Sequence, residues 1–372
     1  MRAKRIILAI VFGVLLLPLI NGQFNIIKSG GLKGAVALAI NPDFTWKHWF
    51  SGKYQKEKEA YHNTNVSFYP DLIRLNNQID FSLFGILHAK EVVEGQQHYL
   101  YETPYILSYT GIDKLPESTL LNNSLKIKDI QEKLLAKGKK FVFIIATNKA
   151  DFYPEHLPTR YQKLDFKGRN YHSYLRYFDS LKINYIDFNK YFVLQKPKSK
   201  YPLITKFGTH WSSYGTSLVT DSIIRYLNVC HYGGKLIQPQ ISYLVSETYN
   251  NHDKEAFDPL NLIKGWNESE VTAIPQYKFS DKPDAVKPKM LCVSDSYFWE
   301  IYDQGVLEHV FSDLEFWYYN REHWDKQHKL IGDAAKVPNL GNNYLKKAEV
   351  VVMLASEFHL NCLTDDFLKK LD

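Results

Sequence analysis

The 372 residues, 45% hydrophobic and 23% charged, make a globular composition with enough apolar surface for one large or two ordinary domains. The net charge of +6 is spread along the chain without a basic block, which disfavours nucleic acid, and three cysteines without C-x-x-C spacing disfavour a zinc site or a disulfide framework. Aromatic residues reach 15%, most of them expected in the core and the rest free to stack on sugars.

Arg2, Lys4 and Arg5 precede an uncharged, nearly all apolar run, Ile6 to Ile20, followed by Asn21-Gly-Gln23. That order reads as a signal peptide or a short membrane anchor. The run alone reaches about 22 Å at the helical rise, below the roughly 30 Å of a bilayer core, so it spans only with help from its flanks. No A-x-A-like cleavage site follows. The expectation is an uncleaved anchor over residues 1–22, with its positive end inside and the remaining domain, 23–372, outside the cytoplasm. Cys230 and Cys362 are free to pair in an exported protein, which spacing leaves open.

Asn41 to Tyr61 is aromatic and then charged, a loop leading into a helix, and Leu72 to Phe84 follows with mixed periodicity. Glu91-Val-Val-Glu94 and His98-Tyr-Leu-Tyr101 suggest a hairpin around Gly95. From Asn123 the pattern alternates. Ile127, Ile130 and Leu134 repeat at helical spacing, with Asn123 or Ser124 as N-cap and Gly138 past the end. Phe141 to Ala146 is an apolar strand. A helix over Tyr171 to Leu181 leads to a strand at Tyr185 to Phe188, and a helix over Tyr214 to Leu227 precedes the strand Lys289 to Val293. The prolines and charges of Asp281 to Pro288 make a surface loop. A helix from Tyr297 and strands at Glu315 to Tyr319 and Val350 to Leu354 complete the series. Strands separated by helices predict an α/β fold, a parallel sheet with helices on both faces.

The strand ending at Val293 runs into Ser294-Asp-Ser296 and then a helix, so Ser296 falls at a strand's carboxyl end and a helix N-terminus. A serine there suits acyl transfer through a serine ester, with its own N–H as an oxyanion donor. A serine hydroxyl needs a base within hydrogen-bond reach. His210, in the loop Lys206-Phe-Gly-Thr-His-Trp-Ser-Ser-Tyr-Gly215 before a helix, is the candidate. Asn148, after the Ala146 strand, is a candidate second oxyanion donor. Trp211 and Tyr297, flanking the pair, are candidate substrate contacts. Asp295 reads as a turn-former. No cofactor or metal is indicated, since His323 and His328 lack ligand-spaced partners.

The Gly-Thr-His-Trp segment, followed well downstream by a strand and Ser-Asp-Ser-Tyr, resembles the alginate O-acetyltransferase-like branch of the SGNH hydrolases, which are circularly permuted so that the histidine motif precedes the serine. Trp49 to Gln55, Tyr99 to Tyr101 and Asn148 to Pro154 extend the resemblance over roughly Phe44 to Leu360. It implies an SGNH-hydrolase-like fold and a cell-envelope enzyme that transfers acetyl groups to an exported polysaccharide, supplied by a membrane-bound O-acyltransferase. By position, Ser296 would be the nucleophile and His210 the base. The family's acid stands two residues before that histidine, where this chain has Gly208, so Asp187, Glu357, or a backbone carbonyl behind a Ser-His dyad must replace it. A carbohydrate acetyl esterase on the same residues, and a non-catalytic polysaccharide-binding subunit, are the competing readings.

Overall fold

Residues 2–24, 26–34, 38–65, 67–162, 164, 168–334, 344–360 and 364–371 are described by the computed structural model. Cys362, and with it any pairing to Cys230, lies outside them. Contacts divide the chain into two units, one of residues 1–90 with 257–267 and the other of 91–256 with 268–372.

The first unit opens with the helix Arg2–Phe24, 23 residues long and apolar enough to cross a membrane, none of its apolar window being buried. At the α-helical rise it reaches about 35 Å, more than the apolar run alone, because its basic first turn and polar last turn stay helical. Helices Trp46–Phe50, Lys53–Thr64 and Tyr69–Phe84 follow. The segment 257–267 returns to this unit. Asn77 Nδ2 donates to Leu260 O at 2.9 Å, and Trp266 meets Phe81 edge-on at 5.1 Å.

The second unit is built on a sheet. Its strands are β1 (Val92–Glu94), β2 (Leu100–Glu102), β3 (Lys140–Ile145), β4 (Tyr185–Asp187), β5 (Gln240–Ser246), β6 (Thr272–Lys278), β7 (Lys289–Ser294), β8 (Asp313–Tyr318), β9 (Glu322–Trp324), β10 (Leu330–Asp333) and β11 (Val350–Ala355). Seven form the central sheet in the order β10-β9-β8-β7-β11-β3-β4. The five from β8 to β4 are parallel, and β9 and β10 extend the edge antiparallel. β1–β2 and β5–β6 are separate antiparallel hairpins.

Burial on both faces explains why these strands read as continuous apolar runs. Along β7, Met290 and Cys292 join one core cluster while Leu291 and Val293 join the other. The first cluster takes side chains from helices Thr103–Thr110, Phe188–Gln195, Ser213–His231 and Tyr297–Asp303, the second from Glu117–Ala136, Asn170–Leu181 and Thr364–Leu371. All six residues of β11 are buried, and each Val, Met or Leu there is worth about 1.5–3 kcal/mol of transfer.

The helix expected to start at Asn123 or Ser124 starts instead after Pro116, whose fixed φ suits a helix entry. Asn123 and Ser124 lie one turn or more inside. Asn123 Nδ2 donates to Tyr174 OH at 3.1 Å and Ser124 Oγ to Leu120 O at 2.9 Å, so neither caps. Gly138, past the end, has a φ of 73°, which a glycine adopts without strain.

Candidate active site

β3 leads outward to β4 and β7 outward to β8, so the sheet reverses direction between β3 and β7, where β11 is inserted. The carboxyl ends at such a reversal form the crevice of an open α/β sheet. Ser294 ends β7, and Ser296 stands at the residue before the helix Tyr297–Asp303, its side chain making no capping bond to that helix. Asp295 turns the chain between them. Its Oδ1 accepts from Tyr297 N at 3.1 Å, and its Oδ2 accepts from Ser356 N at 2.8 Å and from Ser356 Oγ at 2.7 Å, tying the end of β7 to the end of β11. Burial would raise the Asp295 carboxyl, but His359 and Ser356 hold it below its ordinary value. Among the described hydrogen bonds none uses the N–H of Ser296, which leaves it free to donate to an oxyanion.

His210 arrives on a braced loop. Lys149, a fully buried lysine, donates from Nζ to Lys206 O at 2.8 Å and also to Gly208 O. Burial pushes its amine down to about 7. Thr209 Oγ1 donates to Glu102 Oε1 at 3.0 Å, and Ser212 Oγ accepts from Gly215 N at 3.0 Å to start the helix Ser213–His231. His210 Nε2 then stands 2.9 Å from Ser296 Oγ. The two motifs, far apart on the chain, meet.

On the other side of the imidazole, Nδ1 lies 2.7 Å from Glu255 Oε2 and 3.7 Å from Glu300 Oε1. The Glu255 contact is short but bent away from the ring N–H direction, an ion pair before it is an aligned hydrogen bond. Burial alone would depress His210, but the two carboxylates overcome it and hold the imidazole well above its ordinary value. Burial and the like charge of Glu300 push Glu255 up to about 7. Burial would raise Glu300 as well, but hydrogen bonds from His210 and His252 keep it ionised, at about 2. Ligand-type atoms of His210, Glu255 and Glu300 lie within 4.8 Å of one another. Since Ser296 and Glu255 take the two imidazole nitrogens, we read the cluster as an acid–base unit.

Neither carboxylate expected from the sequence reaches His210. Asp187 caps the helix Phe188–Gln195 through Lys190 N at 2.9 Å and accepts from Tyr171 OH at 2.6 Å. Glu357 is buried against Arg169 at 3.3 Å, Ser108 and Asn148. That contact also removes Asn148 as an oxyanion donor: its Nδ2 donates to Glu357 Oε1 at 3.0 Å and to Tyr105 O at 3.1 Å, and its Oδ1 caps Ala150 N at 2.8 Å. Trp211 and Tyr297 are fully buried and cannot touch a substrate. Tyr297 meets the His210 ring edge-on at 4.5 Å and donates to Thr147 O, and Trp211 packs on Tyr297 at 4.8 Å, so both orient the imidazole from within the core.

Gly208 has a steric reason. A Cβ there would stand 2.6 Å from Thr205 Oγ1, which accepts from Gly208 N at 2.9 Å and donates to Asp253 O. The loop leaves no room for an acid at 208, and the same hydrogen bonds bring the 252–255 segment, with Glu255, beside His210. Glu300 did have a sequence signal. It follows Ser296 by one helical turn, on the same face.

Residues 92–248 match the family model described as the SGNH hydrolase-like domain of the acetyltransferase AlgX, a segment that includes His210 and stops short of Ser296. No curated protein matches the sequence significantly. Among solved structures, AlgX of Pseudomonas aeruginosa is similar over 75% of this chain and 65% of its own, at 13% identity and a TM-score of 0.50. The O-acetyltransferase domain of Pseudomonas putida AlgJ covers 75% of this chain and 98% of its own at 14% identity and a TM-score of 0.49. PatB1 of Bacillus cereus covers 74% and 98% at 10% identity and 0.47. At 13% identity the likeness to AlgX speaks to the fold alone. Over residues 92–248 the sequence is similar to the SGNH hydrolase-like domain of the AlgX-type acetyltransferases, and the fold of the chain is similar to that of AlgX.

Proposed function

We propose that this protein is an O-acetyltransferase that moves acetyl groups onto an exported polysaccharide through an acetyl ester on Ser296. The observation that carries the reading is the 2.9 Å contact of His210 Nε2 with Ser296 Oγ, with Glu255 behind Nδ1 at 2.7 Å. In the first half-reaction Ser296 Oγ attacks the donor's acetyl carbonyl while His210 Nε2 takes the hydroxyl proton. Glu255 and Glu300 stabilise the imidazolium, and the Ser296 N–H donates to the oxyanion. Collapse breaks the bond to the donor, whose leaving oxygen or sulfur takes the proton from His210. In the second, His210 removes a proton from a sugar hydroxyl, that oxygen attacks the acetyl-serine, and Ser296 leaves with the proton returned. Acceptor contacts fall to Tyr318 and Tyr319, half-buried rings at the carboxyl end of β8, where Tyr319 N donates to Ser294 O at 2.9 Å.

The exposed apolar helix Arg2–Phe24 supports attachment to the membrane, with the catalytic domain on its outer, periplasmic or extracytoplasmic face. The acetyl supply in this reading is a membrane-bound O-acyltransferase, as the family resemblance implies. Incubation with a model acetyl ester and acceptor oligosaccharides tests the reading. Acetylated sugar is the expected product, and Ser296→Ala and His210→Ala should each abolish it while staying folded. Acetate as the sole product with acceptor present would count against transfer and for an esterase.

A further inference from the structure

The polar contacts behind His210 continue past its two carboxylates. Glu300 Oε1 faces His210 Nδ1 at 3.7 Å, and its Oε2 lies 2.7 Å from Nδ1 of a second histidine, His252. His252 Nε2 faces Asp303 Oδ2 at 3.8 Å. Asp303 Oδ1 meets His328 Nδ1 at 3.3 Å, and His328 Nε2 meets Glu308 Oε1 at 3.2 Å. The Glu300 side chain is 6% exposed and that of His252 39%, so the string runs from the buried site to solvent. Facing His252 are Glu300 and Asp303 from the helix Tyr297–Asp303, with Asp253 and Glu255 on its own loop.

Two carboxylates beside one imidazole nitrogen pose an electrostatic problem. If both are ionised and no cation offsets them, the imidazole holds its proton too tightly to act as a base near neutrality. The alternative, a proton on Glu255, removes the anionic acceptor that orients the ring. We propose that His252 is a positioning residue for the transfer reaction: as the imidazolium it holds Glu300 ionised and fixed, so that a neutral His210 faces one uncompensated carboxylate instead of two. The inference rests on the acyl-transfer reading above. Its hydrogen bond and its charge are separable. A glutamine at 252 keeps an N–H for Glu300 and loses the charge, while an arginine keeps both.

The test is the pH profile of kcat/KM for acetyl transfer by the full chain, for the parent, His252→Gln and His252→Arg. Without the charge, a higher pH is needed to reach neutral His210 beside ionised Glu255. The acid limb of His252→Gln should therefore move alkaline by about one unit, about a tenfold loss below the limb, with the alkaline plateau near the parent's. His252→Arg should keep the parent's limb. A His252→Gln profile that is unmoved, or lowered uniformly at every pH, overturns the proposal, because a merely structural role would scale activity without shifting it. Imidazole NMR titration of the full chain reads the same coupling without any substrate. Glu300→Gln should lower the His252 titration by at least about one unit, with the signal assigned through His252→Gln. No change there overturns the coupling. The coupling present with no transfer dependent on Ser296 or His210 overturns the functional reading instead.

Discussion

Replacing Glu255 by glutamine isolates the acid that Gly208 cannot supply. The amide keeps the side chain's shape and removes the charge 2.7 Å from His210 Nδ1, leaving Glu300, at 3.7 Å, as the remaining anion at that nitrogen. Weakening the corresponding partner in serine proteases costs about four orders of magnitude in rate. Because Glu300 stays, the single change should cost kcat about 10²-fold, and Glu255→Gln with Glu300→Gln together should approach about 10⁴, with KM little changed in either. The two losses will not add, since both carboxylates act on one imidazole. Stability moves the other way. The Glu255 carboxyl is raised to about 7 from 4.5 by burial and by Glu300, so the parent loses stability as pH rises between those values. Glu255→Gln should therefore gain on the parent in urea unfolding from about pH 4.5 to 7. Steady-state kinetics with a model acetyl ester checks the first part. Parent-like kcat in Glu255→Gln, alongside a large loss in Asp187→Asn or Glu357→Gln, would refute the assignment.

Three further outcomes follow from the packing. Trp211→Ala should lower stability by about 3–5 kcal/mol, read as a fall in Tm, because Trp211 is fully buried against Tyr297; a raised KM with unchanged Tm would instead restore it as a substrate contact. Gly208→Asp, although it rebuilds the family's motif, should destabilise by about 1–3 kcal/mol and gain no activity, because the new Cβ meets Thr205 Oγ1 at 2.6 Å. Lys149→Met should strip the buried donor from Lys206 O and Gly208 O, costing about 1–3 kcal/mol and lowering kcat through a looser His210 loop, measurable by chemical unfolding beside the rate.

Much of the parallel sheet is visible in the sequence because strands buried on both faces leave unbroken apolar runs. Phe141 to Ala146 and Val350 to Leu354 are such runs, and each matches a strand to within a residue or two. The meeting of Ser296 with His210 follows from motif order and the chemical need for a base, and the geometry brings them to 2.9 Å. The acid was not legible in the same way. Glu255 sits in a polar stretch, Asn251-His-Asp-Lys-Glu255, with no periodicity, and its segment is held by a hydrogen bond from Thr205 Oγ1 to Asp253 O that no local pattern announces. Trp211 and Tyr297 misled for the opposite reason. Neighbours of a reactive residue on the chain need not share its surface, and these two turn inward. The antiparallel edge β9–β10 was missed because its strands are short and carry mixed polarity.

The most direct measurement is intact-protein and peptide mass spectrometry after brief exposure to an acetyl ester, quenched at acid pH. The account predicts one acetyl group per chain, on the peptide containing Ser296, absent in Ser296→Ala and strongly reduced in His210→Ala. An unlabelled Ser296, or labelling that persists when His210 is removed, would contradict it.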